Sequence, residues 1–405
     1  MSYHIFEVYG IELEYMLVNK DLQVNPVTDK LFIEKTGKIT SDVENGKIEW
    51  SNELVGHVVE LKTACPTSEI EHLDELFAEN ITEINTLLKP LESQLLPTAA
   101  HPLMDPLKET KLWEHDYNEI YELYNQIFDC KGHGWSNVQS MHINLPFAND
   151  TEFEKLHAAI RILLPIIPGL SASSPIFEGQ LTGFMDSRME MYKTNQKEVP
   201  QIAGKVIPEC LYTKEEYHHG IFGPIKEAIK PYDKKGILEH HFLNSRGAIA
   251  RFDRGAIEIR VIDLQECPKA DMAIAILVIE TLKSIVNEEF VPLEEQKPWK
   301  EDDLLDILNI AIKDAEVGKV KNEAYLAIFG LKKEAEIQEI WQVIFQKIKN
   351  NISEKHAQTI EFLLKEGSLS TRIIKALNKN YSDEKIKSVY LKIADCLSKN
   401  QLFTI

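Results

Sequence analysis

In the stretch Gly10-Ile-Glu-Leu-Glu-Tyr15, acidic and apolar side chains alternate strictly. Alternation at period two marks a β-strand, in which residues i and i+2 share a face. Glu12 and Glu14 therefore project from one side, and Ile11, Leu13 and Tyr15 from the other. Two carboxylates on one side repel each other unless positive charge lies between them, a need that a hard divalent cation held by oxygen ligands meets.

The same design recurs further along the chain. His142 and Asn144 alternate with apolar residues in Ser140-Met-His-Ile-Asn-Leu-Pro146, and Glu258 and Arg260 do so in Ala256-Ile-Glu-Ile-Arg-Val-Ile-Asp263. Glu53 and Glu60 share the segment Ser51-Asn-Glu-Leu-Val-Gly-His-Val-Val-Glu-Leu-Lys-Thr63, but their spacing of seven would place them on opposite faces of an unbroken strand. Gly56 offers a bulge or turn that brings both inward; without a break only Glu60 joins the others. Taken singly, each pair reads as the solvated face of a half-exposed strand, and Arg260 as an ion-pair residue of little worth. Taken together, they predict a sheet with one apolar face and one chemically loaded face. Four carboxylates on a bland exposed face would be interleaved with Lys or Thr, and here they are not.

Working outward, strands are expected over Ile5–Val18, Val55–Thr63, Leu95–Ala100 and Gln139–Leu145, with a hairpin over Ile249–Asp263 turning at Asp253-Arg254-Gly255. Helical spacing of apolar residues predicts helices over 68–96 (ended by Pro97), 118–128, 151–167, 271–288, 304–317 and 384–397. Residues 171–250, with scattered Gly, Pro and Tyr, have the profile of long functional loops over a site. Residues 289–303 read as a linker. Strands mixed with segregated helices, without βαβ alternation, predict an α+β fold with an antiparallel sheet. The expected domains are a catalytic unit over 1–295 and a helical C-terminal region over 296–405 that packs on it or builds a homodimer.

A formal charge of -19, from 45 Lys and Arg against 64 Asp and Glu, argues against a nucleic-acid or anionic-membrane partner. It also means that a polyanion-binding site must collect its own cations. Five cysteines, widely spaced and without a CxxC, suit a reducing compartment. Met1-Ser-Tyr-His-Ile-Phe-Glu7 lacks the layout of a signal peptide, and the apolar run Ile162–Leu170 is too short to span a bilayer, so a cytoplasmic location is expected.

Carboxylates with one imidazole suit Mg2+ or Mn2+, where a zinc site would use fewer ligands and more His or Cys. Several carboxylates can hold two ions, and the usual client of such a cluster is a nucleoside triphosphate. Arg260 stands two residues from the candidate ligand Glu258, where an arginine is wanted for the transferring phosphate. Thr36-Gly37-Lys38 lacks the glycine spacing of a phosphate-binding loop, so any nucleotide must be held through metal and arginine on a sheet.

Gly10-Ile-Glu-Leu-Glu-Tyr15, Ala100-His-Pro102, Leu170-Ser-Ala-Ser-Ser-Pro175, Gln180-Leu-Thr-Gly183, Ser187-Arg188 and Ile257-Glu-Ile-Arg-Val-Ile-Asp263 occur in the order found in glutamate-cysteine ligase family 2, the carboxylate-amine ligases. The chain resembles that family over about residues 5–290 and more faintly beyond. The resemblance implies the glutamine-synthetase-like catalytic fold, a curved antiparallel sheet with the site on its concave face. It also implies the reaction: ATP phosphorylates the side-chain carboxylate of glutamate, and an amine, cysteine by the family's name, displaces the phosphate.

Carried over by position, Glu12, His142 and Glu258 look like one Mg2+ set and Glu14, Glu53 and Glu60 like another. Arg260 and Arg188 look catalytic, Arg260 steadying the transferring phosphoryl group with Arg251 also in reach of phosphate. Ser171, Ser173, Ser174, Arg188 and Asn144 look like the substrate-binding side. The chain departs from the family pattern at Met189-Glu-Met-Tyr-Lys-Thr-Asn-Gln196 and at Lys313 and Glu316, positions expected at the amine acceptor or the rim. A guanidino phosphotransferase and a metal-binding scaffold without turnover are the competing readings.

Overall fold

The computed structural model describes residues 3–405, so Met1 and Ser2 of the N-terminal reading lie outside it. An eight-stranded antiparallel sheet carries the alternating segments. In chain order its first strands are β1 (Gly10–Asn19), β2 (Asp42–Asn45), β3 (Ile48–Asn52), β4 (Val58–Thr63), β5 (Ser93–Leu96) and β6 (Ser140–Pro146). A separate two-stranded hairpin, β7 (Ile176–Phe177) with β8 (Gln180–Leu181), precedes the last two, β9 (Ala248–Arg251) and β10 (Ala256–Asp263). The strand order is β2-β3-β4-β1-β6-β10-β9, with β5 pairing the far end of β1.

The apolar halves of the alternation are sealed. Ile11, Leu13, Tyr15, Leu61, Ile143 and Ile259 have no exposed surface. They meet the helices Leu73–Leu88, Asp150–Leu163 and Pro268–Val286 in one continuous core. Leu73–Leu88 buries Phe77, Ile81, Ile84 and Leu88, the stripe that helical periodicity demands. Asp150–Leu163 starts where the Asn149 side chain accepts from the Glu152 backbone N–H. Pro268–Val286 is buried on almost every side because helices flank it all round, Glu354–Glu366 among them.

The other face changes character along β1. Met16 and Val18 share parity with Glu12 and Glu14, yet both are fully buried under the helices Leu369–Leu377 and Asp383–Lys399. The C-terminal helices thus roof the apolar end of the loaded face and leave its acidic end open.

Several expected boundaries move for local reasons. The long helix stops at Leu88 because Pro90 breaks it well before Pro97, and β5 consequently starts at Ser93. The β2–β3 hairpin was not anticipated, although its signal is present: a two-residue Gly46-Lys47 loop in which Gly46 takes φ +69°. The expected 289–303 linker is built into the body. Gln296 within it is buried and donates to the carbonyls of Ile285 and Val291, and the Trp299 carbonyl accepts from Arg161.

Candidate active site

Strand register assembles the polar row. Glu12 on β1 lies opposite His142 on β6, Glu14 opposite Glu60 on β4, and Glu258 on β10 opposite Asn144. His142 Nδ1 is 2.9 Å from Glu12 Oε2, and Asn144 donates to Glu12 Oε1 at 3.0 Å. Glu14 is held by the Ser140 backbone N–H and hydroxyl at 2.7 and 2.9 Å. Glu258 Oε1 lies 3.6 Å from His142 Nδ1 and accepts from Arg260 Nη1 at 2.7 Å.

Glu53 reaches the row through a turn at Gly56, the second of the two routes expected there. It follows the last residue of β3, and the chain reverses into β4, so Glu53 at the end of one strand comes beside Glu60 on its antiparallel neighbour. Ligand atoms of Glu14, Glu53 and Glu60 all lie within 4.8 Å of one another, as do those of Glu12, Glu60 and His142. The grouping differs from the expected sets in one respect: Glu60 belongs to both clusters, and Glu258 is paired with Arg260 instead. Three carboxylates per cluster, or two with an imidazole, form a hard donor set that fits Mg2+ or Mn2+. Contrary to expectation a lysine does interleave the row: Lys62, two residues from Glu60, has Nζ 3.4 Å from Glu60 Oε2 and 3.2 Å from Glu49.

Crowding moves the acids apart. Burial and the Glu12 charge push the Glu60 carboxyl up to about 7, and burial with Glu60 and Glu14 raises Glu53 well above the ordinary value. Burial works in the same direction on Glu12, but the hydrogen bond and charge of His142 outweigh it and hold Glu12 down to about 2. The His142 pKa ends raised, because Glu12 and Glu14 outweigh burial and Arg260.

A pH dependence follows. Glu60 keeps a proton in the folded chain over a range where the unfolded chain has lost it, so without divalent ions stability falls as pH rises from the ordinary carboxylate range through about 7. In EDTA the Tm is expected to decline between about pH 5 and about pH 7.5, and Mn2+ to recover it at the upper end. A profile that Glu60→Gln leaves unchanged would contradict this assignment.

Arg188 lines the inner of two cavities at the row, and it and the serines are tied into the chain behind it. Arg188 is 2% exposed, its Nε donates to Asp263 Oδ1 at 2.5 Å, and both Nη atoms reach the Arg260 carbonyl at 3.3 Å. The Ser173 backbone N–H and the Ser174 hydroxyl donate to Asp263 Oδ2, at 2.8 and 2.9 Å. The Ser171 hydroxyl turns back to the Ile167 carbonyl. These groups therefore clamp the chain at Arg260, where the β10–β6 register shifts, rather than presenting hydroxyls to a substrate. Replacing Arg188 by Met strands the buried Asp263 charge and is expected to cost about 3–5 kcal/mol in urea unfolding. A loss below about 1 kcal/mol would mean that the pair does not hold this end of β10.

Two cavities meet at the row. The outer cleft, about 760 Å³, runs past Glu12, Glu60, Lys62 and Asn144 to Arg251 and Arg254. Arg251 is paired with Asp253 at 3.0 Å and stacked on Phe242. The inner chamber, about 260 Å³, has a largely apolar wall that includes Tyr121, Tyr124, Trp135 and Tyr192. Glu14, Glu53, His142 and Arg260 line both. The segment Met189–Gln196 supplies Tyr192, Asn195 and Gln196 to the chamber. Glu316 lies apart, in a hydrogen bond with Thr371 on a C-terminal helix. The chamber's aromatic wall comes from three helices, Asn118–Phe128, His133–Ser136 and Ser187–Tyr192, where no alternation advertises a site.

The model of glutamate-cysteine ligase family 2 matches residues 8–390. The chain belongs to that family. An uncharacterized protein of Archaeoglobus fulgidus is 31% identical over 97% of this chain and 99% of its own length. A protein of Herminiimonas arsenicoxydans provisionally named glutamate–cysteine ligase 2 is 28% identical over 44% of this chain and 46% of its own.

Among solved structures, the glutamate–cysteine ligase of Francisella tularensis, in complex with AMP, superposes with a TM-score of 0.65 over 99% of this chain and 90% of that one, at 12% identity. A bifunctional glutathione synthetase from Pasteurella multocida gives 0.57 over 98% of this chain and 52% of that one, also at 12% identity. The fold is thus the glutamine-synthetase-like ligase fold, with an antiparallel sheet and flanking helices. No helix among the described residues is long and apolar enough to cross a membrane.

Proposed function

We infer that the chain is an ATP-dependent carboxylate-amine ligase that activates the side-chain carboxylate of glutamate and joins it to an amine. The observation that carries this reading is the shared wall: Glu14, Glu53, His142 and Arg260 face both cavities. A phosphoryl group passing from a nucleotide in the outer cleft to a carboxylate in the chamber crosses that wall. The family and the AMP complex of a ligase with this fold supply the nucleotide and the reaction class.

In this reading a glutamate carboxylate oxygen attacks the γ-phosphorus of ATP and ADP departs, leaving an acyl phosphate. Bound Mg2+ or Mn2+ would supply charge neutralisation to the phosphate oxygens, held by Glu14, Glu53 and Glu60 and by Glu12, Glu60 and His142. Arg260 sets its guanidinium beside the transferred group, where a fixed positive charge stabilises the developing negative charge without reorganisation. Arg188 and Asp263 keep the Arg260 backbone from shifting. Lys62, Arg251 and Arg254 give the outer cleft the cations that a nucleotide needs in an otherwise acidic protein. The chamber wall keeps water from the acyl phosphate until the amine attacks.

Cysteine is the acceptor that the family's name offers, and the site itself does not require it. The test is ADP release with Mg2+, ATP and glutamate across a panel of amino acids, amines and no acceptor. Release that depends on glutamate and an amine, with an amide product, supports the ligase; phosphate transfer to a guanidino compound would favour a phosphotransferase, and silence throughout would end both readings.

A further inference from the structure

Lys62 stands among the residues assigned to the metal ions. On β4 it lies directly opposite Glu12 of β1 and Glu49 of β3, and it shares a face with Glu60 two residues before it. Its Nζ is 3.4 Å from Glu60 Oε2, 3.2 Å from Glu49 Oε1 and 4.0 Å from Asp42 Oδ1, and it donates to the Ser51 hydroxyl at 3.1 Å. The ammonium group therefore has two kinds of acidic partner. Glu60 belongs to both donor clusters, whereas Glu49 and Asp42 belong to neither.

Glu60 can serve two ions through its two oxygens only if Oε2 is given up to one of them. In the structure Oε2 accepts from the Ser51 hydroxyl at 2.7 Å and faces Lys62. A divalent ion on that oxygen would meet the ammonium group at close range, where two cations in a partly buried cleft repel strongly. Lys62 and the metal thus compete for the same carboxylate.

The lysine has other places to put its charge. A compact ammonium on a flexible stem changes partners more readily than a guanidinium fork. Lys62 lines the outer cleft, where the nucleotide phosphates of the proposed reaction would lie, and Glu49 and Asp42 keep it at that rim. Two other cations of the cleft, Arg260 and Arg251, are paired with Glu258 and Asp253 instead.

We propose that Lys62 is an exchangeable counterion of the metal site: in the free chain it occupies Glu60 against divalent ions, and an incoming nucleotide draws it to the phosphates and releases Glu60 to the metal. This rests on the ligase reading above and adds an order of events to it, in which the ions are gripped fully only when the nucleotide is present. Lys62 is a positioning residue in this account, acting through Glu60.

The experiment measures Mn2+ affinity by EPR, with and without a non-hydrolysable ATP analogue. Without nucleotide, Lys62→Met is expected to bind Mn2+ at least ~5-fold more tightly than the native chain, the lower end of the usual coupling between two sites. Glu49→Gln, which leaves the ammonium group to Glu60, is expected to weaken Mn2+ binding in the same condition. Arg254→Met removes a cation from the same cleft but not from Glu60, and its effect is expected to stay below ~2-fold, as screening by salt requires. The analogue should raise Mn2+ affinity less in Lys62→Met than in the native chain, because the exchange is gone.

Unchanged or weaker Mn2+ binding in Lys62→Met would make the lysine a brace of Glu60 and overturn the proposal, with the ligase reading intact. An equal gain in Arg254→Met would reduce the effect to net charge and overturn it as well. If the native chain binds no Mn2+ in either condition, the donor clusters and the ligase reading built on them fail, and this proposal with them.

Discussion

Arg260→Met is expected to lower kcat by ~10³-fold or more, the effect of removing an arginine from a phosphoryl-transfer site. Arg260 lines both cavities, its Nη1 is paired with Glu258, and its Nε is buried without a partner. Its backbone carbonyl is clamped by Arg188, so the guanidinium is fixed before substrate arrives. Arg260→Lys should recover only part of the rate, because an ammonium group is a point charge and cannot reproduce the planar fork. Mn2+ affinity should be nearly unchanged, since Arg260 ligates nothing. A variant within about tenfold of the native rate would remove Arg260 from the chemistry.

Glu60→Gln should affect the metal sites more than any other single change. Its carboxylate belongs to both donor clusters, whereas Glu53 belongs to one and Glu12 to the other. Titration with Mn2+, followed calorimetrically or by EPR, is expected to show Glu60→Gln weakening both ions by ~10²-fold or more, because even an outer partner of a metal ligand commonly contributes 10–100-fold. Glu53→Gln and Glu12→Gln should each weaken one ion and largely spare the other. Loss of a single ion in Glu60→Gln would restore the grouping expected from sequence, with Glu258 as the third ligand beside Glu12 and His142.

The site was legible where a strand carries it. Alternation in β1, β6 and β10 declares which side chains share a face, and the register then places Glu12 against His142 and Glu258 against Asn144. Alternation says nothing about pairing across a turn, so Glu53 needed the β3–β4 reversal to become a neighbour of Glu60. It also cannot tell a ligand from a brace. Arg188 and Ser174 look like substrate groups in a loop of polar residues, yet the fold buries both around Asp263.

Lys62 is the converse case: its parity with Glu60 is plain in the sequence, and it sets a cation within the acidic row. The inner chamber was out of reach, because its aromatic residues come from three helices spread over some seventy positions of the chain. The same holds for the C-terminal helices, whose place over Met16 and Val18 depends on long-range packing that no local pattern encodes.

The decisive measurement is the fate of isotope from the glutamate side chain. With glutamate labelled with 18O in its γ-carboxylate, Mg2+, ATP and a productive amine, one labelled oxygen should appear in inorganic phosphate for each ADP formed, because the carboxylate oxygen that attacks the γ-phosphorus leaves with it. Phosphate free of label, with an amide still formed, would mean that the carboxylate is never phosphorylated and would contradict the two-cavity mechanism built on Glu14, Glu53, His142 and Arg260.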